Sequence, residues 1–297
     1  MRVGIVDSLY QPGPELADAF SVNRRENYVH STTGDTTGHG GDVFETLGYF
    51  TPDAEFNLYR VIAENGRTRR GDLVQAIADA SRHGIDFLNV SVGIAHHEED
   101  DYDCGGNCRV ADEARLAIEE GLTVVSAAGN RHRDDPLAVN CPARVDDAIG
   151  VGGFVSLCRS DLIESGVSGQ YWIRNGGVQG PFCGQQGCSP DRPCAEYRYE
   201  KPWSGNVAFR NTMPDVLAPV HHPVDSQGTP LLQSGTSFAA PIVCGILAAM
   251  AGDLIELGIS PTPVEFQTAI VQGTAELDEG ELGKFQAGGT WDVLQDM

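Results

Sequence analysis

The sequence predicts an α/β fold of three layers, with a mostly parallel sheet and helices on both of its faces. Two observations support this prediction. Apolar segments of strand length alternate with helical segments along most of the chain, which is typical of parallel strands joined by crossover helices. The first segment, residues 2–6, is apolar enough for a strand that is buried on both faces.

The individual elements follow from the positions of the apolar residues. Leu73, Ile77 and Ala80 recur at helical spacing, so residues 71–83 are predicted to form an amphipathic helix. Further helices are predicted at 14–21, 39–48, 110–120 and 263–272, and in the apolar run that follows Ser237. Strands are predicted at 2–6, 28–30, 54–62 and 148–151, and around Phe87 and Val124.

A single domain over residues 1–297 is the predicted organisation. The candidate functional residues described below are spread from position 7 to position 237, and a chain of this length can build one large core. Residues 155–205 differ from the rest, because they are rich in Gly, Cys and polar residues and have no clear period. We interpret them as an insertion on the same domain, which either contacts substrate or a partner or is a surface loop without such a role.

Residues 234–241, Ser-Gly-Thr-Ser-Phe-Ala-Ala-Pro, are the most informative segment of the chain. They place Ser237 among small residues, just ahead of a long apolar run. A small-residue turn that opens a helix exposes a hydroxyl and directs free backbone N–H groups at whatever binds beside it. This pattern predicts an attacking serine; a small-residue cap on a core helix is the alternative.

An attacking serine needs a base, and the base needs a carboxylate to orient it. Asp7 follows the apolar run 2–6, so it is predicted at the carboxyl end of a buried strand, where functional groups of parallel sheets collect. His39 lies between two glycines at the start of a predicted helix, and these glycines allow other backbone to approach its ring. Asp7 and His39 are therefore the candidate partners of Ser237.

These segments resemble the motifs of subtilisin-like serine proteases, the subtilases. The segment at Ser237 is similar to the family's Gly-Thr-Ser-x-Ala-x-Pro signature, and the order Asp7, His39, Ser237 is that of subtilisin. The resemblance implies a serine endopeptidase in which Ser237 attacks a peptide carbonyl, His39 carries the proton and Asp7 orients the imidazole. It implies a protein or peptide substrate, an acyl-enzyme intermediate and no cofactor for the chemistry.

The resemblance also implies an oxyanion site and a substrate site. Residues 122–130 are similar to the subtilase strand that ends in an oxyanion-binding Asn, which would be Asn130. Ser91, Val92 and Gly93 would pair with an extended substrate backbone. The primary specificity pocket would lie between that segment and a second one, with Asn140 near its floor; the second segment consists of Ala127, Ala128 and Gly129.

The chain departs from the family pattern at several places. Asp42 stands where the family usually has the second His of His-Gly-Thr-His, and Glu45 stands where a Gly is common. Nearby acids favour the imidazolium, so we expect the pKa of His39 to be raised. Residues 46–53 are too short for the family's calcium loop, and residues 288–294 resemble the last strand of subtilase domains.

The charge of the chain is strongly negative. It has 42 acidic and 20 basic residues and a net charge of −22, and its lysines are Lys201 and Lys284 alone. An acidic surface with little Lys is typical of halophilic proteins, in which molar salt screens the self-repulsion. An acidic face for a basic partner is the alternative, and a regulatory partner of this kind is possible. This charge argues against nucleic acid binding.

The chain is expected to be cytoplasmic, in an organism of high internal salt. The first predicted strand follows Met1 at once, so no secretory signal is visible, and the domain is expected to fold without a pro-segment. No apolar run was found to reach the roughly 18 residues that span a bilayer, which predicts no membrane contact.

The eight cysteines leave two interpretations open. Disulfide staples or a structural zinc would account equally for the clusters in the Gly-rich segments, since their spacings are looser than Cys-x2-Cys. These clusters comprise Cys104 and Cys108, and the weak metal candidates Cys158, Cys183, Cys188 and Cys194. Cys141 and Cys244 lie in apolar contexts and are predicted to be inert core thiols. Bound structural zinc or calcium therefore stays an open question.

Two other classes of function were weighed against an endopeptidase. A subtilase-fold protein that binds peptides without cleaving them is the second hypothesis, but the complete set of Asp7, His39, Asn130 and Ser237 counts against it. An esterase or lipase would need Gly-x-Ser-x-Gly, whereas the residues around Ser237 read Gly-Thr-Ser-Phe-Ala.

Overall fold

The structure of the protein is a computed structural model. It describes residues 1–9, 11–29, 35, 37–94, 107–130, 139–156, 200–202, 214–219, 221–224, 231–275 and 283–297 of the 297-residue chain. The helices in these ranges are α1 (Pro14–Ala19), α2 (His39–Phe50), α3 (Arg70–Arg82), α4 (Arg109–Glu119), α5 (Thr236–Glu256), α6 (Pro263–Gln272) and α7 (Ala287–Asp296).

An eight-stranded sheet forms the middle layer. Its strands are β1 (Arg2–Asp7), β2 (Ser21–Asn27), β3 (Glu55–Arg60), β4 (Phe87–Val90), β5 (Thr123–Ala127), β6 (Ile149–Ser156), β7 (Glu200–Pro202) and β8 (Val216–Pro219). Their order is β2-β3-β1-β4-β5-β6-β7, and β8 also pairs with β6. Every pairing is parallel except that of β6 with β7. The prediction of a mostly parallel sheet is confirmed.

Alternate residues of the strands feed two separate cores. On one face, Val3 and Ile5 of β1 join a core with residues of α2, α5, α6 and α7. On the other face, Val6 of β1 joins residues of α3 and α4. Since successive strand side chains point to opposite faces, this division produces the three predicted layers.

Helix α5 is the central helix of the first core, and most of its residues are buried. By length and composition this helix is apolar enough to cross a membrane. Its most apolar 18-residue stretch has a mean hydropathy of 2.0, and 72% of that stretch is buried inside the protein. The expectation that no apolar run reaches spanning length was therefore wrong. The continuous apolar run 242–250 is short, but small and apolar residues extend the helix in both directions. A buried core helix meets the same criteria of length and composition, so these two properties are weak evidence for a membrane span.

Two predicted strands differ from the structure. Residues 288–294 were expected to be a strand but lie in α7, where Thr290 and Leu294 are buried. The i, i+4 spacing of these two residues suits a helix that packs on α6, and this packing outweighs the strand propensity of Thr290, Trp291 and Val293. Residues 28–30 were expected to be a strand, but the strand in this region is β2 at Ser21–Asn27, and residues 28 and 29 follow it. His30 lies outside the described residues.

Four strands of the described residues were not predicted from the sequence. They are β7, β8, β9 (His221–Val224) and β10 (Leu231–Ser234), of which β9 and β10 form an antiparallel pair that leads into α5. His221 and His222 are therefore strand residues. The ends of the predicted insertion also pair with each other, since β7 runs antiparallel to the last residues of β6. Residues 157–199 lie outside the described part of the chain.

Helices α2 and α5 cross at Gly245, and the close contact there predicts opposite effects for two glycines of one helix. A methyl group on Gly245 would lie 2.9 Å from the Leu47 carbonyl oxygen and 2.9 Å from Phe50 Cβ, whereas one on Gly252 would meet nothing within 4 Å. We expect Gly245→Ala to lower the free energy of unfolding by about 1–3 kcal/mol through overpacking. Gly252→Ala should raise it by about 0.5–1 kcal/mol through helix propensity. Chemical denaturation measures both, and a Gly245→Ala variant as stable as the wild type would contradict the proposed crossing.

Candidate active site

The predicted residues Asp7, His39 and Ser237 come together at one edge of the sheet. Asp7 is the last residue of β1, His39 is the first residue of α2, and Ser237 is the second residue of α5. Asp7 and Ser237 are 1% and 7% exposed, while the His39 side chain is 32% exposed. The partly exposed imidazole therefore connects a buried carboxylate to a buried hydroxyl.

The three side chains form a continuous hydrogen-bonded line. His39 Nδ1 lies 2.9 Å and 3.1 Å from the two carboxylate oxygens of Asp7, and His39 Nε2 lies 2.9 Å from Ser237 Oγ. A carboxylate only accepts hydrogen bonds, so Nδ1 carries the proton and Nε2 accepts from the serine hydroxyl. This arrangement prepares Ser237 Oγ to lose its proton to His39.

Contacts with backbone and with an aromatic ring hold this line in place. Asp7 Oδ1 accepts from the Ser8 backbone N–H at 2.6 Å and from the Ser8 hydroxyl at 3.1 Å. Ser8 Oγ in turn accepts from the Gly40 N–H at 2.9 Å, which joins the end of β1 to the first turn of α2. A methyl group on Gly40 would lie 2.3 Å from the Leu9 nitrogen, so this approach requires glycine. The Phe238 ring lies 5.4 Å from the imidazole, centroid to centroid.

The pKa of His39 is raised above its ordinary value of 6.5. Burial by itself lowers the pKa of the imidazole, but negative charge from Asp7, Asp35 and Asp42 raises it, and the net shift is upward. The direction agrees with the expectation from the sequence, and Asp42 is one of the acids named there. Glu45 is not among the main causes of the shift, whereas Asp35 was missed.

Asn130 faces the same site across Gly235. Its Oδ1 accepts from the Thr236 N–H at 2.8 Å and from the Thr236 hydroxyl at 2.8 Å. The amide nitrogen, Nδ2, is therefore directed away from Thr236. A methyl group on Gly235 would lie 3.1 Å from Asn130 Nδ2 and 3.2 Å from Ser237 Oγ. Both atoms therefore border one small space, which stays open because position 235 is glycine. Gly235 also has a φ of 148°, which side chains disfavour.

The Ser237 backbone N–H belongs to the first turn of α5, next to Gly235 and Thr236. Thr236 N donates to Asn130, and the Phe238 and Ala239 amides donate to the Gly235 carbonyl. Within the described residues no acceptor is recorded for the Ser237 amide, as expected in the first turn of a helix. The site thus presents a side-chain amide and a backbone N–H beside the nucleophile, an arrangement that can bind an oxyanion.

The residues expected to bind substrate flank this site. Ser91 is buried, accepts from Asn89 Nδ2 at 2.9 Å and donates to the Ser237 carbonyl at 2.8 Å, so its side chain supports α5. Gly93 packs against the Asn140 side chain, since a methyl group there would lie 2.7 Å from Asn140 Cβ. The Asn140 N–H donates to the Ala128 carbonyl at 3.0 Å. The partly exposed Val92 completes the first segment; Ala127 and Gly129 lie on either side of Ala128.

The cysteines that the structure describes are all buried. Cys108 stands at the N-cap of α4 as a free thiol, so it forms no disulfide. Burial raises the pKa of the Cys244 thiol, which agrees with an inert core residue, and Cys141 is also buried. No group of metal-ligating side chains occurs within the described ranges. Outside those ranges lie Cys104, Cys158, Cys183, Cys188 and Cys194.

Sequence reasoning missed three residues that support the site. Ser8 and Thr236 were not among the candidate residues, but their hydroxyls bond Asp7 and Asn130. Asp35 was not considered, although its carboxylate binds the loop that leads into α2. The pattern Asp-x-Thr-Gly ahead of a helix is a signal for such a turn and would have identified Asp35.

A model of the subtilase family, Peptidase_S8, matches residues 20–288 of the chain. Asp7 lies before this match, so its place in the site rests on the geometry. Among curated proteins, the chain is 25% identical to the subtilisin-like protease SBT6.1 of Arabidopsis thaliana over 292 residues, which are 92% of this chain and 24% of that one. It is 29% identical to the human membrane-bound transcription factor site-1 protease over 163 residues, which are 52% of this chain and 14% of that one.

The chain thus spans a quarter or less of the length of these curated relatives. Among solved structures, it is similar to the prenylagaramide maturation protease PagA, with a TM-score of 0.68 and 18% identity. The match covers 99% of this chain and 94% of that one, and it supports the fold.

The raised pKa of His39 predicts the pH dependence of the serine's reactivity. Protonated His39 cannot accept the Ser237 proton, so reaction with a fluorophosphonate should be slow at low pH and rise as the imidazole deprotonates. Since the pKa is raised, we expect the midpoint of this rise above pH 6.5. The labelling rate measured between pH 5 and 10 tests this, and a midpoint at or below the ordinary value would contradict it.

Proposed function

Since the chain belongs to the subtilase family, we propose that it is a serine endopeptidase that cleaves peptide bonds through Asp7, His39 and Ser237. The observation that carries the proposal is the line from Asp7 through His39 to Ser237, with distances of 2.9 Å on both sides of the imidazole. The substrate is a protein or peptide, as expected for a protease of this family.

In the proposed mechanism, Ser237 Oγ attacks the peptide carbonyl while its proton passes to His39 Nε2. Asp7 keeps the proton of neutral His39 on Nδ1 and stabilises the imidazolium that forms. The developing oxyanion takes hydrogen bonds from Asn130 Nδ2 and the Ser237 N–H, and one such donor is worth roughly a hundred- to thousandfold in turnover. That magnitude comes from a subtilisin, a member of the same family.

Collapse of the tetrahedral intermediate breaks the C–N bond. His39 gives its proton to the leaving amine, and the acyl group stays on Ser237. Water then attacks the ester, again with His39 as the base, and releases the acid. The residues described here need no metal for these steps, because the base, the nucleophile and the oxyanion donors all come from the chain.

A substrate binds, in this proposal, along the segment 91–93. Its backbone pairs with that segment as an added strand, and the residue before the scissile bond enters the space between it and the segment 127–129. The contact of Gly93 with Asn140 and the hydrogen bond from Asn140 to Ala128 support this assignment, because they place Asn140 where the two segments meet.

We further propose that the enzyme works in concentrated salt, in a salt-rich cytoplasm. The excess of acidic residues, 42 against 20 basic ones, supports a surface whose self-repulsion needs screening. A reducing cytoplasm is also compatible with the buried Cys108 thiol.

The activity is tested with a fluorophosphonate and with a fluorogenic peptide library in multimolar KCl. We expect labelling and peptide cleavage by the wild type, and neither by Ser237→Ala. Ser81→Ala is the matched control and should behave like the wild type, because Ser81 lies on α3 and contacts Glu120. A folded wild type that neither labels nor cleaves would contradict the proposal and favour the alternative of a peptide-binding protein. Cleavage of esters but not of peptides would favour an esterase.

Salt dependence of stability is a separate prediction. Because salt screens the repulsion among carboxylates, the thermal unfolding midpoint should rise steeply as KCl increases from about 0.1 M to about 3 M. Differential scanning calorimetry measures the change, with sodium chloride as a second salt to exclude an effect specific to potassium. A midpoint that is independent of salt would contradict the halophilic assignment.

A further inference from the structure

The position of His39 in α2 creates an electrostatic problem for a base. His39 is the first residue of the helix, where the free N–H groups and the helix dipole place positive charge. Burial also disfavours a charged imidazole. Both effects oppose the imidazolium that forms when Ser237 gives up its proton, so the site needs negative charge at this end of the helix.

Asp35 supplies a carboxylate at that place, although it is four residues before His39. Its Oδ1 accepts hydrogen bonds from the Thr37 N–H at 3.2 Å, the Thr37 hydroxyl at 2.8 Å and the Gly38 N–H at 3.1 Å. Its Oδ2 accepts from the Gly41 N–H at 3.2 Å, within the first turn of α2. One carboxylate therefore binds backbone on both sides of His39.

This carboxylate replaces the usual helix cap. The N-cap residue of α2 is Gly38, which has a left-handed φ of 71° and no side chain to accept a hydrogen bond. The Thr37 hydroxyl, held by Asp35, instead accepts from the His39 N–H at 3.3 Å and lies 3.2 Å from Ser8 Oγ. Ser8 bonds Asp7, so the contacts of Asp35 extend through Thr37 and Ser8 to the carboxylate that bonds His39.

We propose that Asp35 is a positioning residue for His39: it closes the N-terminus of α2 around the histidine and supplies negative charge that favours the protonated imidazole. The inference deepens the proposed function and rests on it for the catalytic consequence. The geometry itself stands without it. A carboxylate that only ended the preceding loop would not need to bond the Gly41 N–H beyond the histidine.

Three carboxylates share the charge around His39 in the described part of the chain. Asp7 faces it from β1, Asp42 from the following residues of α2, and Asp35 from the preceding loop; α5 contributes the Ser237 hydroxyl and the Phe238 ring. Asp7 touches the imidazole and Asp42 is buried in α2, so a change at either disturbs more than charge. Asp35 is the one of the three that can be altered without a direct change in the line from Asp7 to Ser237.

Two substitutions separate charge from position. Asp35→Asn removes the charge but keeps an oxygen that can accept from Thr37 and Gly38. Asp35→Ala removes both the charge and the hydrogen bonds. Asp112→Asn is the control, because Asp112 is a carboxylate at the N-terminal end of another helix, α4, which packs on the opposite face of the sheet.

The direct test is an NMR titration of the His39 ring nitrogens in the full chain, with the signal assigned by His39→Gln. We expect the His39 titration midpoint in Asp35→Asn to fall by about 0.5 to 1 pH unit, since a nearby negative charge is lost. The midpoint should not move in Asp112→Asn. An unchanged midpoint in Asp35→Asn would overturn the charge part of the proposal.

The positioning part is tested by kinetics on the high-pH plateau of each variant's rate profile, where His39 is neutral. We expect Asp35→Asn to stay within about threefold of the wild-type kcat, and Asp35→Ala to lose roughly ten- to a hundredfold in kcat with little change in KM, because the imidazole is misplaced. A wild-type kcat in folded Asp35→Ala would overturn this part. If the wild type shows no peptidase activity, the proposed function fails, while the NMR titration still decides whether Asp35 acts on His39.

Discussion

The close crossing of α2 and α5 is the contact on which the rest of the site depends. Position 245 must be a glycine for α5 to reach the Leu47 carbonyl oxygen, and this approach sets the separation of the two helices. Because α2 begins at His39 and α5 begins at residue 236, the same separation brings His39 Nε2 to 2.9 Å from Ser237 Oγ. His39 and Ser237, which are 198 residues apart, are therefore aligned by backbone packing in the core.

Glycines at the site serve the same purpose of close approach. Gly40 allows the first turn of α2 to touch the end of β1, and Gly235 keeps open the space between Asn130 and Ser237. In both places a single methyl group would fill the volume that a functional contact or a reacting atom needs. The geometry of the site thus depends on the absence of side chains at these glycines as much as on the polar groups around it.

The charge around His39 and the net charge of the whole chain are both negative, but they have different consequences. The excess of acidic residues is spread along the sequence, and salt can screen it wherever the side chains are exposed. Around His39 the carboxylates of Asp7 and Asp42 are buried, and buried charges are screened far less. A change in salt is therefore expected to act on the stability of the fold much more than on the imidazole.

Several elements were predictable because their local signals are strong. The apolar run before Asp7, the helical spacing of residues 71–83 and the small-residue segment at Ser237 each specify their own structure, and the order of Asp7, His39 and Ser237 identified the site. The remaining features depend on contacts between segments that are distant in the chain. Residues 288–294 form a helix because Thr290 and Leu294 pack against neighbouring helices. Residues 216–219 form β8 because they pair with β6. Asp35 and Thr236 acquire their roles only when the loop before α2 and the turn before α5 fold against His39 and Asn130, since a hydrogen bond across space leaves no periodic trace in a sequence.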